Sequence, residues 1–92
     1  MGWRIVQQPN GDFARFSDIV DHFTHWGMNY EHAIEVCRHE VGMGESESKD
    51  KVQRGIDAGN ERFEDSIRII KMVHGKDEAE QYRKLLSEVV QP

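Results

Sequence analysis

Between Ser48 and His74, Val52, Ile56, Gly59, Phe63, Ile67 and Ile70 recur at steps of four, three, four, four and three. That spacing holds all six on one side of an α-helix. Arg54, Asp57, Glu61, Asp65, Arg68 and Lys71 take the opposite side, so the stripe is clean and predicts a helix over residues 49–74. A helix this amphipathic cannot bury its apolar face alone, and the rest of the chain must cover it. Two glycines weaken its interior, since Gly55 and Gly59 each cost roughly 1 kcal/mol relative to Ala. Asn60 offers a fresh N-cap, so a break is expected near Ala58 to Asn60. The alternative is that Gly59, lying in the stripe, lets another helix approach closely.

The rest of the chain supplies short elements. Asn10-Gly11 is a strong hairpin signal, because both central positions of a type I′ turn need positive φ. A two-residue loop there pairs Pro9 with Asp12, Gln7 with Ala14 and Ile5 with Phe16, and places Trp3, Ile5, Ala14 and Phe16 on one face. A three-residue Pro9-Asn10-Gly11 loop is set aside, because it scatters the aromatics. Ser17 reads as an N-cap for a helix over residues 17–26, buried through Ile19, Val20, Phe23 and Trp26 and stopped by Gly27. Asn29 caps a second helix over 30–41, with Tyr30, Ala33, Ile34, Cys37 and Val41 as its apolar stripe. Residues 42–48 form a polar, flexible linker. Gly75 ends the long helix, and Asp77 with Glu80 resembles a capping box for a last helix over 77–90. Ala79, Tyr82, Leu85, Leu86, Val89 and Val90 form that helix's apolar side.

The expected fold is therefore α+β and mostly helical, an N-terminal two-stranded β-hairpin packed on about four helices. Residues 1–92 make one domain: hairpin 3–16, helix pair 17–41, linker 42–48 and helical hairpin 49–90. Trp3, Ile5, Phe16, Phe23, Cys37, Ile56, Phe63, Ile67 and Leu86 are expected in the core.

Charge and composition bear on function mainly by exclusion. The net charge of −5 lies wholly in residues 1–48, where Arg4, Arg15 and Arg38 face eight acidic residues; residues 49–92 hold nine of each sign. Such a surface repels nucleic-acid phosphates and favours basic partners. Residues 17–41 have the outline of a helix-turn-helix, but the second helix would present Glu31, His32, Glu35, Arg38, His39 and Glu40, a net acidic set unsuited to DNA. No apolar run approaches the roughly 18 to 20 residues that cross a bilayer. The opening residues lack a signal-peptide core, and the lone Cys37 suits a reducing compartment, so a cytoplasmic protein is expected.

His32, Glu35 and His39 share one helix side at a spacing compatible with a metal, and His22 and His25 lie three apart. Surface histidines are the expected reading, because zinc sites draw further ligands from a second segment. Cys37 reads as a small buried hydrophobe. There is no phosphate loop, paired-carboxylate signature or nucleophile motif. No catalytic, cofactor-binding or metal-ligating residue is assigned, and no cofactor is expected.

The stretch Trp3-Arg4-Ile5-Val6-Gln7-Gln8-Pro9-Asn10-Gly11, with Ala14-Arg15-Phe16-Ser17 after it, resembles the start of small uncharacterised proteins of phages and mobile elements. The likeness covers about a third of the chain. It implies a small accessory protein that binds and modulates a host protein. The leading expectation is a non-enzymatic protein-binding module of the accessory or inhibitor kind, with a protein partner. An acidic nucleic-acid mimic, a structural self-association module and a small metal-dependent enzyme remain alternatives. A core this small is not expected to enclose Trp3, Trp26 and Phe13 together, and the surplus aromatic surface favours a homodimer, with the long helix or the hairpin face at the two-fold axis.

Overall fold

A computed structural model of the chain describes residues 2–88. Strands β1 (Trp3–Gln7), β2 (Phe13–Ser17) and β3 (His22–Met28) come first, then helices α1 (Tyr30–Val41), α2 (Glu45–His74) and α3 (Lys76–Ser87). The strands form one antiparallel sheet in the order β1-β2-β3. The architecture is α+β, with three strands and three helices.

The expected hairpin is present, one residue out of the expected register. Gln7 faces Phe13, Val6 faces Ala14 and Arg4 faces Phe16. The loop is the three-residue Pro9-Asn10-Gly11, closed by Gln8 N–H donating to the Asp12 carbonyl (2.7 Å) and Gly11 N–H to that of Gln8 (2.9 Å). Proline decides this. A two-residue loop needs an N–H from residue 9 to close its ladder, and Pro9 has none. At the second position of a turn its fixed φ is an advantage, and Gly11 takes the left-handed conformation with φ 94°.

The shifted register does distribute the aromatics, and both faces of the sheet are covered. Trp3, Ile5 and Phe13, with Met28, pack on Ala33, Val36 and Cys37 of α1 and Val52 of α2. Val6, Ala14, Phe16 and Phe23 pack on Phe63, Ile67 and Ile70 of α2 and on Ala79 and Leu86 of α3. The sheet is thus the middle of three layers, with a half-core on each face.

The helix expected over residues 17–26 is absent. Ser17 ends β2, Ser17 Oγ accepts from Ile19 N–H across the turn (3.2 Å), and β3 follows. Ile19 is 82% exposed and Val20 is exposed too, so the supposed buried face does not exist. Four apolar residues fit a helical period by chance, whereas Phe23-Thr24-His25-Trp26 has the aromatic and β-branched content of a strand. Asp21, with φ 55°, makes the turn, and Gly27, with φ 69°, sits where β3 loses step with β2.

The second half of the chain follows its pattern more closely. Asn29 caps α1, its Oδ1 accepting from His32 N–H (2.7 Å), and Gly42 ends α1 in the left-handed conformation. Tyr30 is exposed rather than part of a buried stripe, and Val36 is buried in its place. Helix α2 begins at Glu45, so helix occupies part of the stretch read as a linker. Gly59, with φ 60° and ψ −148°, breaks α2 where expected. A side chain there would meet nothing within 4 Å, so the close-approach alternative fails for Gly59. Residues 45–58 face one half-core and residues 60–74 the other.

Gly55 is the glycine at a close approach. A Cβ there would lie 2.8 Å from the Ile5 carbonyl oxygen. Helix α2 therefore lies directly against the outer edge of β1, and Arg62 NH1 donates to that same oxygen (3.2 Å). Helix α3 starts at Lys76 with Gly75 as its cap and no side-chain cap bond, so the Asp77–Glu80 capping box does not form. Val89 and Val90 lie outside the described residues. Eight of the nine expected core residues are buried; Ile56 is half-buried.

Two polar links close the structure. Buried Gln8 donates through Nε2 to the Leu86 carbonyl (2.9 Å) and accepts at Oε1 from Gly27 N–H (2.7 Å), tying β1, the β3 irregularity and the end of α3 together. Arg83 and Glu64 join α3 to α2 by two parallel bonds of 2.7 and 2.8 Å. That pair holds the Glu64 carboxyl below the usual carboxylate range, first through the Arg83 hydrogen bonds and then through the nearby positive charges of Arg83 and Arg68, with partial burial opposing.

Candidate functional site

The surface with the most distinctive chemistry lies where β3 meets α3. On α3, Glu78, Gln81, Tyr82 and Leu85 follow the i, i+3, i+4, i+7 spacing of one helix side. Ala79 and Leu86 on the adjoining side are buried and anchor the helix to the sheet. Strand β3 contributes Trp26. Together Trp26, Glu78, Gln81, Tyr82 and Leu85 line an open cavity of about 210 Å³. Trp26 is 42% exposed and Leu85 44%, both high for large apolar side chains.

The aromatic groups around this cavity are held by one another. Tyr82 stacks on His22 (centroids 6.4 Å apart, planes 13° apart) and packs against Phe23 at 5.6 Å. Trp26 stands nearly perpendicular to Tyr82, at 81° and 5.8 Å. Burial raises the Tyr82 hydroxyl above its ordinary pKa, and the negative charge of Glu78 adds to the rise. His22 donates from Nδ1 to the Phe23 carbonyl (2.9 Å). His74 donates from Nε2 to the Val20 carbonyl (2.9 Å), while its Nδ1 lies 3.4 Å from Glu78 Oε2. These contacts clasp the β2–β3 turn to the corner between α2 and α3.

Two other clusters are integrated into the fold. Arg4 lies over the Phe16 ring at 5.1 Å and donates to Ser66 Oγ (3.3 Å), and Ser66 in turn donates to the Arg62 carbonyl (2.9 Å). Partial burial, with Arg4 and Arg54 nearby, lowers the Arg62 pKa. On the other face, Arg15 and Lys51 lie over the Trp3 ring at 5.0 and 4.8 Å. Cys37 is buried in the same half-core as Trp3; burial raises its thiol pKa, partly offset by the charges of Lys51 and Arg15.

His32 and His39 are exposed on α1, and His39 lies 3.7 Å from Glu35 on open surface. His22 belongs to the Tyr82 cluster, whereas His25 touches Thr24 Oγ1 at 3.0 Å. Among the described residues no group of three or more His, Cys, Asp or Glu side chains converges as a metal site. The helix-turn-helix outline dissolves, because its first helix is β3 and a turn. Among the described residues no helix is long and apolar enough to cross a membrane.

Of the three aromatics expected to exceed the core, Trp26 is exposed while Trp3 and Phe13 are buried; a helix over 17–26 hides the cavity beside Trp26, because it puts that residue on a buried face. Reading residues 22–28 as a strand would have released it from that face. No family model, curated protein or solved structure matches the chain.

Proposed function

We propose that this chain is a small, non-enzymatic, protein-binding accessory module, and that it docks its partner through the Trp26–Tyr82–Leu85 surface. The observation that carries the reading is the pair of large apolar side chains left half in solvent around an aromatic-walled cavity. Exposed apolar surface organised in this way marks interaction sites, and tryptophan and tyrosine are the residues on which binding energy concentrates. Ile19 and Val20, on the turn that His74 clasps, and Met72 and Val73, near the end of α2, are exposed as well. The acidic first half supports a partner with a basic surface. An inhibitor of a host protein is one form such a module takes.

Capture from lysate on immobilised wild type and on Trp26→Ala, run in parallel, tests the reading. A protein retained by the wild type and lost with Trp26→Ala, while circular dichroism of the two matches, supports it. Identical retained sets overturn it.

Self-association is the second reading, and the outer edge of β3 favours it. Among the described residues no backbone hydrogen bond from another element meets that edge, so two copies have a self-complementary strand to pair. The long-helix stripe and the hairpin faces are occupied within the chain. A scattering mass that stays near 10.7 kDa up to high micromolar concentration rules self-association out.

A further inference from the structure

We infer that the Trp26–Tyr82–Glu78 cavity is a cage for a cationic side chain, and that the partner inserts an arginine or lysine there. The inference rests on the protein-docking reading and names the chemistry of the docked group. Two aromatic rings nearly at right angles form walls of the cavity, and Tyr82 is fixed in place by His22 and Phe23. Aromatic faces carry negative quadrupole density and attract cations placed within about 6 Å of the ring centre. Glu78 is one of the residues lining the same cavity, so a cation lodged there lies near an opposite charge as well as two rings. Leu85 adds an apolar flank suited to the methylene stem that Arg and Lys carry behind their charge.

Size narrows the occupant further. A cavity of about 210 Å³ is smaller than the roughly 300–1,000 Å³ typical of drug-sized ligand sites, and it suits one side chain. The only basic group meeting Glu78 from within the chain, among the described residues, is His74 at 3.4 Å. It approaches from the α2 corner and is not one of the cavity-lining residues. The chain's net charge of −5 points the same way, because it draws basic segments toward the molecule as a whole.

The test is a ¹H–¹⁵N titration of the full chain at fixed pH and ionic strength. One probe is the capped tripeptide Gly-Arg-Gly and the other its neutral analogue with norleucine in place of arginine. The arginine peptide is expected to shift the Trp26 indole and the Leu85 amide saturably, while the Trp3 indole, buried with Arg15 and Lys51 over its ring, stays still. The norleucine peptide should bind about two- to fivefold more weakly, the factor expected of a cation–π contact at an exposed site. Glu78→Gln should weaken the arginine peptide by a similar factor, and high salt should do the same in wild type.

Equal binding of both peptides, or a Glu78→Gln variant that binds like wild type, overturns the cage. If that happens while capture still depends on Trp26, docking stands as a purely apolar contact. If the arginine peptide saturates the site but Trp26→Ala retains the same proteins as wild type, the docking reading fails instead.

Discussion

The two edges of the sheet are treated in opposite ways. Strand β1 is sealed: α2 lies against it so closely that only glycine fits at position 55, and Arg62 caps its outward Ile5 carbonyl. Among the described residues strand β3 is left open, with Trp26 half in solvent beside it. An unpaired edge is a template for association unless it is covered. The chain uses its longest helix to cover one edge, whereas the other is perturbed by the irregularity at Gly27. The lesson is a division of labour: the β1 flank stabilises the molecule, and the β3 flank is what it offers to others.

The largest effect is expected between the two flanks, where α2 turns from the β1 edge onto the sheet face. Phe63 is fully buried against Phe23 and the α2–α3 half-core. Phe63→Ala should cost about 3–5 kcal/mol in chemical denaturation. A cost under about 1 kcal/mol would show that this half-core is not packed as described. On the sealed edge itself, Gly55→Ala removes the close approach. Its Cβ would meet backbone rather than a movable side chain, so a loss of about 1–3 kcal/mol is expected. An unchanged or raised midpoint would mean that the edge is not sealed at Gly55.

A smaller effect belongs to the Arg83–Glu64 pair, which is partly exposed. Glu64→Gln should cost about 1 kcal/mol at pH 7, the upper end for such pairs. The sign of its pH dependence follows from the lowered carboxyl pKa in the fold. The contribution is fully present above the unfolded value of about 4.3 and is lost as pH falls through the lower folded value. Denaturation of wild type and variant should therefore converge in the acid limb. A difference that persists there would assign the loss to packing. On the open side, Ile19→Ser should shift stability by no more than about 0.5 kcal/mol. A larger loss would place Ile19 against something within the chain.

How far the sequence revealed this layout varies along the chain. The α2 stripe, its break at Gly59 and the Asn29 cap were legible because each depends on local geometry: period, positive φ, and a side-chain acceptor at a helix start. The Trp3 to Phe16 hairpin was legible too, but its register turned on the N–H that Pro9 lacks. Strand β3 was not legible, because a four-residue helical match in Ile19, Val20, Phe23 and Trp26 outweighed the strand content of residues 22–28. The exposure of Trp26 was legible from the surplus of aromatics, but its pairing with Tyr82 and Leu85 was hidden with the strand. Gly55 was singled out only as a weak point in the helix, because what it touches lies fifty residues away at Ile5. Such a contact is settled by tertiary packing.

Hydrogen exchange resolved by residue tests the contrast between the two edges most directly. The amides of β1 should exchange only with global unfolding, as slowly as those around Phe63 in α2. Those β3 amides that face away from β2 should exchange at least about 100-fold faster, since local opening suffices where no partner covers the edge. Equal protection along both edge strands would contradict the account and show that β3 is covered.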